Sequence, residues 1–149
     1  MHPTVTEQLD GLRRILAETI APEVTSPYPA EILGGVIGAL DALRSNWHAI
    51  PAFLLWDIET TADVLNAAKP LLDADLIAEI AAALSGELTN LADLERRQIH
   101  MRELLVGAIP AIIAEPRGTD AYRRMIALFR ERAERFPFSM AARPPVKKA

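Results

Sequence analysis

Apolar residues recur at intervals of three and four along most of this chain, and nowhere does a convincing period of two appear. That spacing is the signature of helices with one buried stripe. Near the start, Val5, Leu9, Leu12, Leu16 and Ile20 share a face, and Thr4 with Glu7 has capping-box spacing. Pro22, Pro27 and Pro29 close this first helix, because proline lacks the amide a helix interior needs. A second helix is predicted over 26–48, opened by Ser26 and Pro27. Its stripe of Leu33, Val36, Ile37, Leu40, Leu43 and Trp47 stands opposite a column of Gly34, Gly38 and Ala42. Helical glycine costs roughly 0.8–1 kcal/mol relative to alanine. The column therefore predicts a backbone or ligand in close approach, and a helix enclosed on two sides around which the chain is organised.

Pro51 predicts a break, followed by a third helix with Leu54, Ile58, Ala62 and Leu65 inward and Asp57, Glu59 and Asp63 elsewhere on its circumference. Lys69 and Pro70 end it. Asp73 is the expected N-cap of a short fourth helix carrying Leu76, Ile77, Ile80 and Leu84, and Gly86 suits the left-handed residue that stops it. From Glu87 onward Leu88, Leu91, Leu94, Gln98, Met101 and Leu105 form a seam broken by one glutamine, which if buried needs partners for its amide. Pro110 is expected to kink or end this helix, and Pro116, Arg117 and Gly118 form a breaker. Thr119 then caps a last helix, with Tyr122, Met125, Ile126, Phe129, Ala133 and Phe136 expected inward and Arg123, Arg124, Arg130, Arg132 and Arg135 mostly outward. The sum is an all-α, mainly antiparallel bundle of five to six helices, one domain over 1–136 with an extended or mobile basic tail over 137–149.

Composition agrees: half of the 149 residues are hydrophobic but only 5% are aromatic, the balance of helix packing rather than of a sandwich. The complete absence of cysteine excludes a disulfide framework, thiolate metal sites and cysteine nucleophiles. With no apolar run behind a basic start, and with Ile32 to Leu40 as the longest nearly uncharged apolar stretch, a cytoplasmic protein without a membrane span is expected. The net charge of −4 hides a gradient, −10 over residues 1–116 and +6 over 117–149. A basic end against an acidic body favours docking of the last helix onto acidic helices of its own or a partner chain.

Chemistry is sparsely signalled. There is no phosphate-binding glycine loop, no H-E-x-x-H and no nucleophile elbow. Three histidines and a single His100–Glu103 pair predict no metal site and no cofactor. Two acid–base candidates stand: His48 with Asp57, beside Trp47 and Trp56 at the break between two helices, and His100 with Glu103, one turn apart. Ligand contacts are expected from Gly34, Gly38, Trp47 and Trp56 for a small apolar molecule, and from Arg123 and Arg130 for an anionic one. Overall acidity and the lack of a reader motif argue against nucleic acid. The reading is a non-catalytic helical binding or accessory protein that forms a homodimer and engages a protein partner or small apolar ligand. The alternative is a small cofactor-free enzyme using a histidine and a carboxylate in a tryptophan-lined pocket.

Overall fold

The protein is all-α: a computed structural model describes residues 2–114 and 119–137, and among these there are six α-helices and no strand. The breaker at Pro116–Gly118 and the tail beyond Pro137 lie outside the described residues. Contacts divide the chain into two compact units, with the boundary between Ala49 and Ile50.

The first unit is a helical hairpin. Helix α1, Val5–Arg14, begins with the expected capping box: Thr4 Oγ1 accepts from the Glu7 amide while the Thr4 amide donates to Glu7 Oε2 at 2.7 Å. The predicted helix does not stay α-helical to Ile20, because residues Ile15–Ile20 wind as a wider π-helix and Ala21–Glu23 as a 3₁₀ turn. Helix α2, Pro27–Asn46, returns antiparallel to α1, as the pairs Thr6–Trp47, Asp10–Arg44 and Arg13–Asp41 show. Leu33, Ile37, Leu40 and Leu43 are half-buried, but no residue of α2 is fully buried. The glycine column corrects the sequence reading. Among the described residues, a methyl group placed on Gly34, Gly35 or Gly38 would meet no atom within 4 Å beyond its own helix backbone.

The organising helix is instead α3, Ile50–Ala68, in the second unit. Its buried positions Leu54, Ile58, Ala62 and Leu65 are those the periodicity predicted, joined by Phe53, Val64 and Ala68. A stripe this wide contacts several neighbours. Helix α4, Ala74–Leu84, is capped by Asp73, whose Oδ1 accepts from the Leu76 amide, and Ile80 is its buried anchor. Gly86 follows with φ +83°, the left-handed geometry glycine adopts without strain. Arg97 ties this turn down by donating to the carbonyls of Ser85 and Gly86.

Helix α5, Leu91–Ala114, buries Leu94, Gln98, Met101, Leu104, Leu105, Ala108 and Ile112. It runs through Pro110 without ending; Val106, whose carbonyl loses its donor there, is exposed and open to water. Helix α6, Asp120–Arg135, is capped by Thr119 as expected and runs antiparallel to α3, with Phe136 beside Phe53 and Arg132 beside Asp57. Its rotation differs from the sequence reading: Ala121, Met125 and Leu128 are buried, whereas Ile126, Phe129, Ala133 and Phe136 are exposed.

Leu65→Ala, which empties a fully buried position on α3, should lower the unfolding free energy in urea by about 2–5 kcal/mol. By contrast, Gly38→Ala should raise stability by up to about 1 kcal/mol; a loss would mean that the column is packed after all. The Thr4 amide and then its hydroxyl hold the Glu7 carboxyl below the usual glutamate range. Because the folded value is lowered, this cap contributes stability above the ordinary glutamate pKa and loses it as pH falls through the lowered one. A carbon-detected NMR titration should therefore find the Glu7 midpoint below that of an unstructured glutamate.

Candidate functional site

Asp57 is the polar centre of the second unit. Successive turns of α3 place it and Thr61 on one face, flanked by Leu54, Ile58 and Leu65, so its carboxylate is carried inward with no exposed surface. This corrects the expectation that Asp57 lies elsewhere on the circumference than the inner face. From α5, Gln98 Nε2 donates to Asp57 Oδ2 at 2.6 Å and Arg102 Nε at 3.1 Å; the two residues are one turn apart and reach the same oxygen. From α6, Arg132 Nε donates to Oδ1 at 2.6 Å, and its Nη2 donates to Thr61 Oγ1 at 3.0 Å. The predicted partner for the buried glutamine amide is thus a carboxylate.

Taking a carboxylate out of water costs several kcal/mol, and only close counter-charges with good geometry offset it. Here one carboxylate meets two guanidinium groups, so the cluster carries one positive charge in excess. Arg132, expected outward, is the most enclosed of these cations, with 17% of its side chain accessible. Next to the cluster, Trp56 packs on Phe53 and lies 4.7 Å from the Arg135 guanidinium carbon, a cation–π contact.

The remaining candidates are distributed. Trp47 and His48 belong to the first unit, with ring centroids 6.5 Å apart, and the Trp47 indole donates to Thr6 Oγ1 at 3.1 Å. Trp56 and Asp57 belong to the second, where both Asp57 oxygens are engaged as described. His100 and Glu103 are exposed on α5, and no hydrogen bond or ion pair joins them among the described residues. His100 instead borders an open cleft of about 350 Å³ with Arg96, Arg97 and Asp93. Arg123 and Arg130 flank a shallow cleft of about 270 Å³ on the outer face of α6, with Tyr122 and Ile126 between them. Among the described residues no three histidine, aspartate or glutamate side chains gather as a metal site.

Another cleft, of about 290 Å³, opens over the Asp57 cluster, with Phe53, Leu54, Ile99 and Phe136 among its apolar walls and Glu95, Gln98 and Arg102 as its polar side. Sequence reading missed it, since its residues come from three helices. The available signal was Gln98 in an otherwise apolar seam. Comparison with protein-family models, with curated proteins and with solved structures gives no match for this chain.

Asp57→Ala leaves two guanidinium groups without their anion and should destabilise the protein by about 3–5 kcal/mol. Arg102→Met, which leaves Asp57 with Arg132 and Gln98, should cost distinctly less. Chemical denaturation of both variants checks the order.

Proposed function

We propose that this chain is a cytoplasmic, non-catalytic helical binding protein that associates with a second copy of itself through the outer face of α5. The observation that carries the reading is a stripe of Ile99, Val106 and Ile113, which are 56%, 66% and 58% exposed and seven residues apart. Seven residues is close to two helical turns, so the three side chains recur on one side of α5 about 10.5 Å apart, with Arg102 and Glu103 between the first two. Apolar residues exposed singly need no explanation, but three large ones aligned on one side of a helix support an interaction surface. The ridge is also self-complementary. A two-fold axis through Val106 brings each Val106 onto its counterpart and Ile99 onto Ile113, as an isologous interface requires.

The same surface suits an apolar helix of another protein. For the acid–base alternative, Asp57 offers no support: two guanidinium groups and an amide already hold its oxygens. A cytoplasmic setting is supported by the lack of cysteine and by the lack, among the described residues, of any helix long and apolar enough to cross a membrane.

Light scattering during gel filtration at micromolar concentration should give twice the 16.3 kDa chain mass, unchanged by added salt because the ridge is apolar. Val106→Glu, at a position already open to water, should yield a monomer with unaltered helical circular dichroism. A wild-type monomer, or a dimer that survives Val106→Glu, overturns the reading.

A further inference from the structure

The cleft above Asp57 borders the proposed α5 ridge at Ile99, but its polar lining sets a chemistry of its own. Its walls are apolar: Phe53 and Leu54 are buried, and Phe136 meets the Phe53 ring edge-on with centroids 5.6 Å apart. Its polar lining is Arg102, Gln98 and Glu95. Arg102 meets Asp57 through Nε alone, and its Nη groups have no hydrogen-bond partner among the described residues. Asp57 in turn divides its charge between Arg102 and Arg132, so the guanidinium lining the cleft is only partly neutralised. Glu95 also lines the cleft, exposed and without an ion pair among the described residues. It precedes Arg102 by seven residues, about 10.5 Å along the helix, too far to neutralise it by contact.

A partly compensated guanidinium in a small, apolar-walled cleft selects an anion with a hydrocarbon body. A guanidinium presents parallel N–H donors that match a carboxylate. The cleft volume of about 290 Å³ sits at the lower end of small-molecule sites. We propose that this cleft binds a medium-chain aliphatic carboxylate, its headgroup on the Nη groups of Arg102 and its chain along Phe53, Leu54 and Phe136. A straight-chain ammonium or alcohol of the same length gains the walls but not the guanidinium.

Isothermal titration of the full chain with octanoate, octanol and octylammonium, each below its micellar concentration, tests this. Octanoate should bind once per chain and at least about tenfold more tightly than octylammonium, the scale of one lost charge-assisted hydrogen bond. Arg102→Met should reduce octanoate affinity by at least about tenfold, with circular dichroism reporting the fold. Glu95→Gln removes an exposed lining charge that has no ion-pair partner among the described residues, and should tighten octanoate about twofold, the weak screened effect expected across some 10 Å of water-exposed path. That gain keeps the proposal falsifiable should Arg102→Met fail to fold. Three results overturn it: no octanoate uptake, equal affinity for octanoate and octylammonium, or affinity indifferent to Glu95→Gln. Uptake that appears only as dilution dissociates an oligomer would assign the cleft to a second copy and overturns it as well.

Discussion

A carboxylate without access to water must find its counter-charges within the protein, and in the second unit Asp57 makes three helices agree on how to supply them. Oδ2 takes the amide of Gln98 and the guanidinium of Arg102, both from α5, while Oδ1 takes Arg132 from α6. Hydrophobic packing alone specifies such rotations weakly, since apolar contacts carry no direction. The carboxylate does carry direction. A turn of α6 by one residue in either sense would withdraw Arg132 by about 100° and leave a buried anion short of a partner, an error costing several kcal/mol.

This constraint explains why α6 buries its less bulky side. Ala121, Met125 and Leu128 stand in register with Arg132 and go inward together, whereas Ile126 and Phe129 are carried outward. On α5 the same logic holds. Gln98 and Arg102 must face Asp57, so Met101, Leu105, Ala108 and Ile112 follow them into the core, and Ile99, Val106 and Ile113 are left exposed on the flank beyond Arg102. The exposed apolar ridge and the partly neutralised guanidinium of the cleft are therefore two consequences of one buried anion. Electrostatic demand inside a helical unit decides which apolar surface remains for binding outside it.

The first unit lacks such a centre. Its two helices are joined by Arg13–Asp41, Arg44–Asp10 and the Trp47–Thr6 hydrogen bond, and Leu9, still 8% exposed, is its one buried residue among those described. Exposed ion pairs of this kind contribute little each. The glycines of α2 do not offset that shortage, because none of the described residues approaches them closely.

Much of the local structure was legible in the residues: the capping box at Thr4 and Glu7, the N-caps at Asp73 and Thr119, the left-handed Gly86, the break before Pro51 and the inner face of α3. These depend on neighbours three or four positions away, and sequence spacing reports such neighbours directly. The rotation of α6, the placement of Asp57 inside rather than outside, and the openness of the glycine column were not legible. Each depends on residues tens of positions distant; Asp57 and Arg132 are separated by 75. Periodicity ranks the faces of a helix by how apolar they are, but a charged side chain is buried only where a distant partner compensates it, and that pairing exists only once the chain has folded.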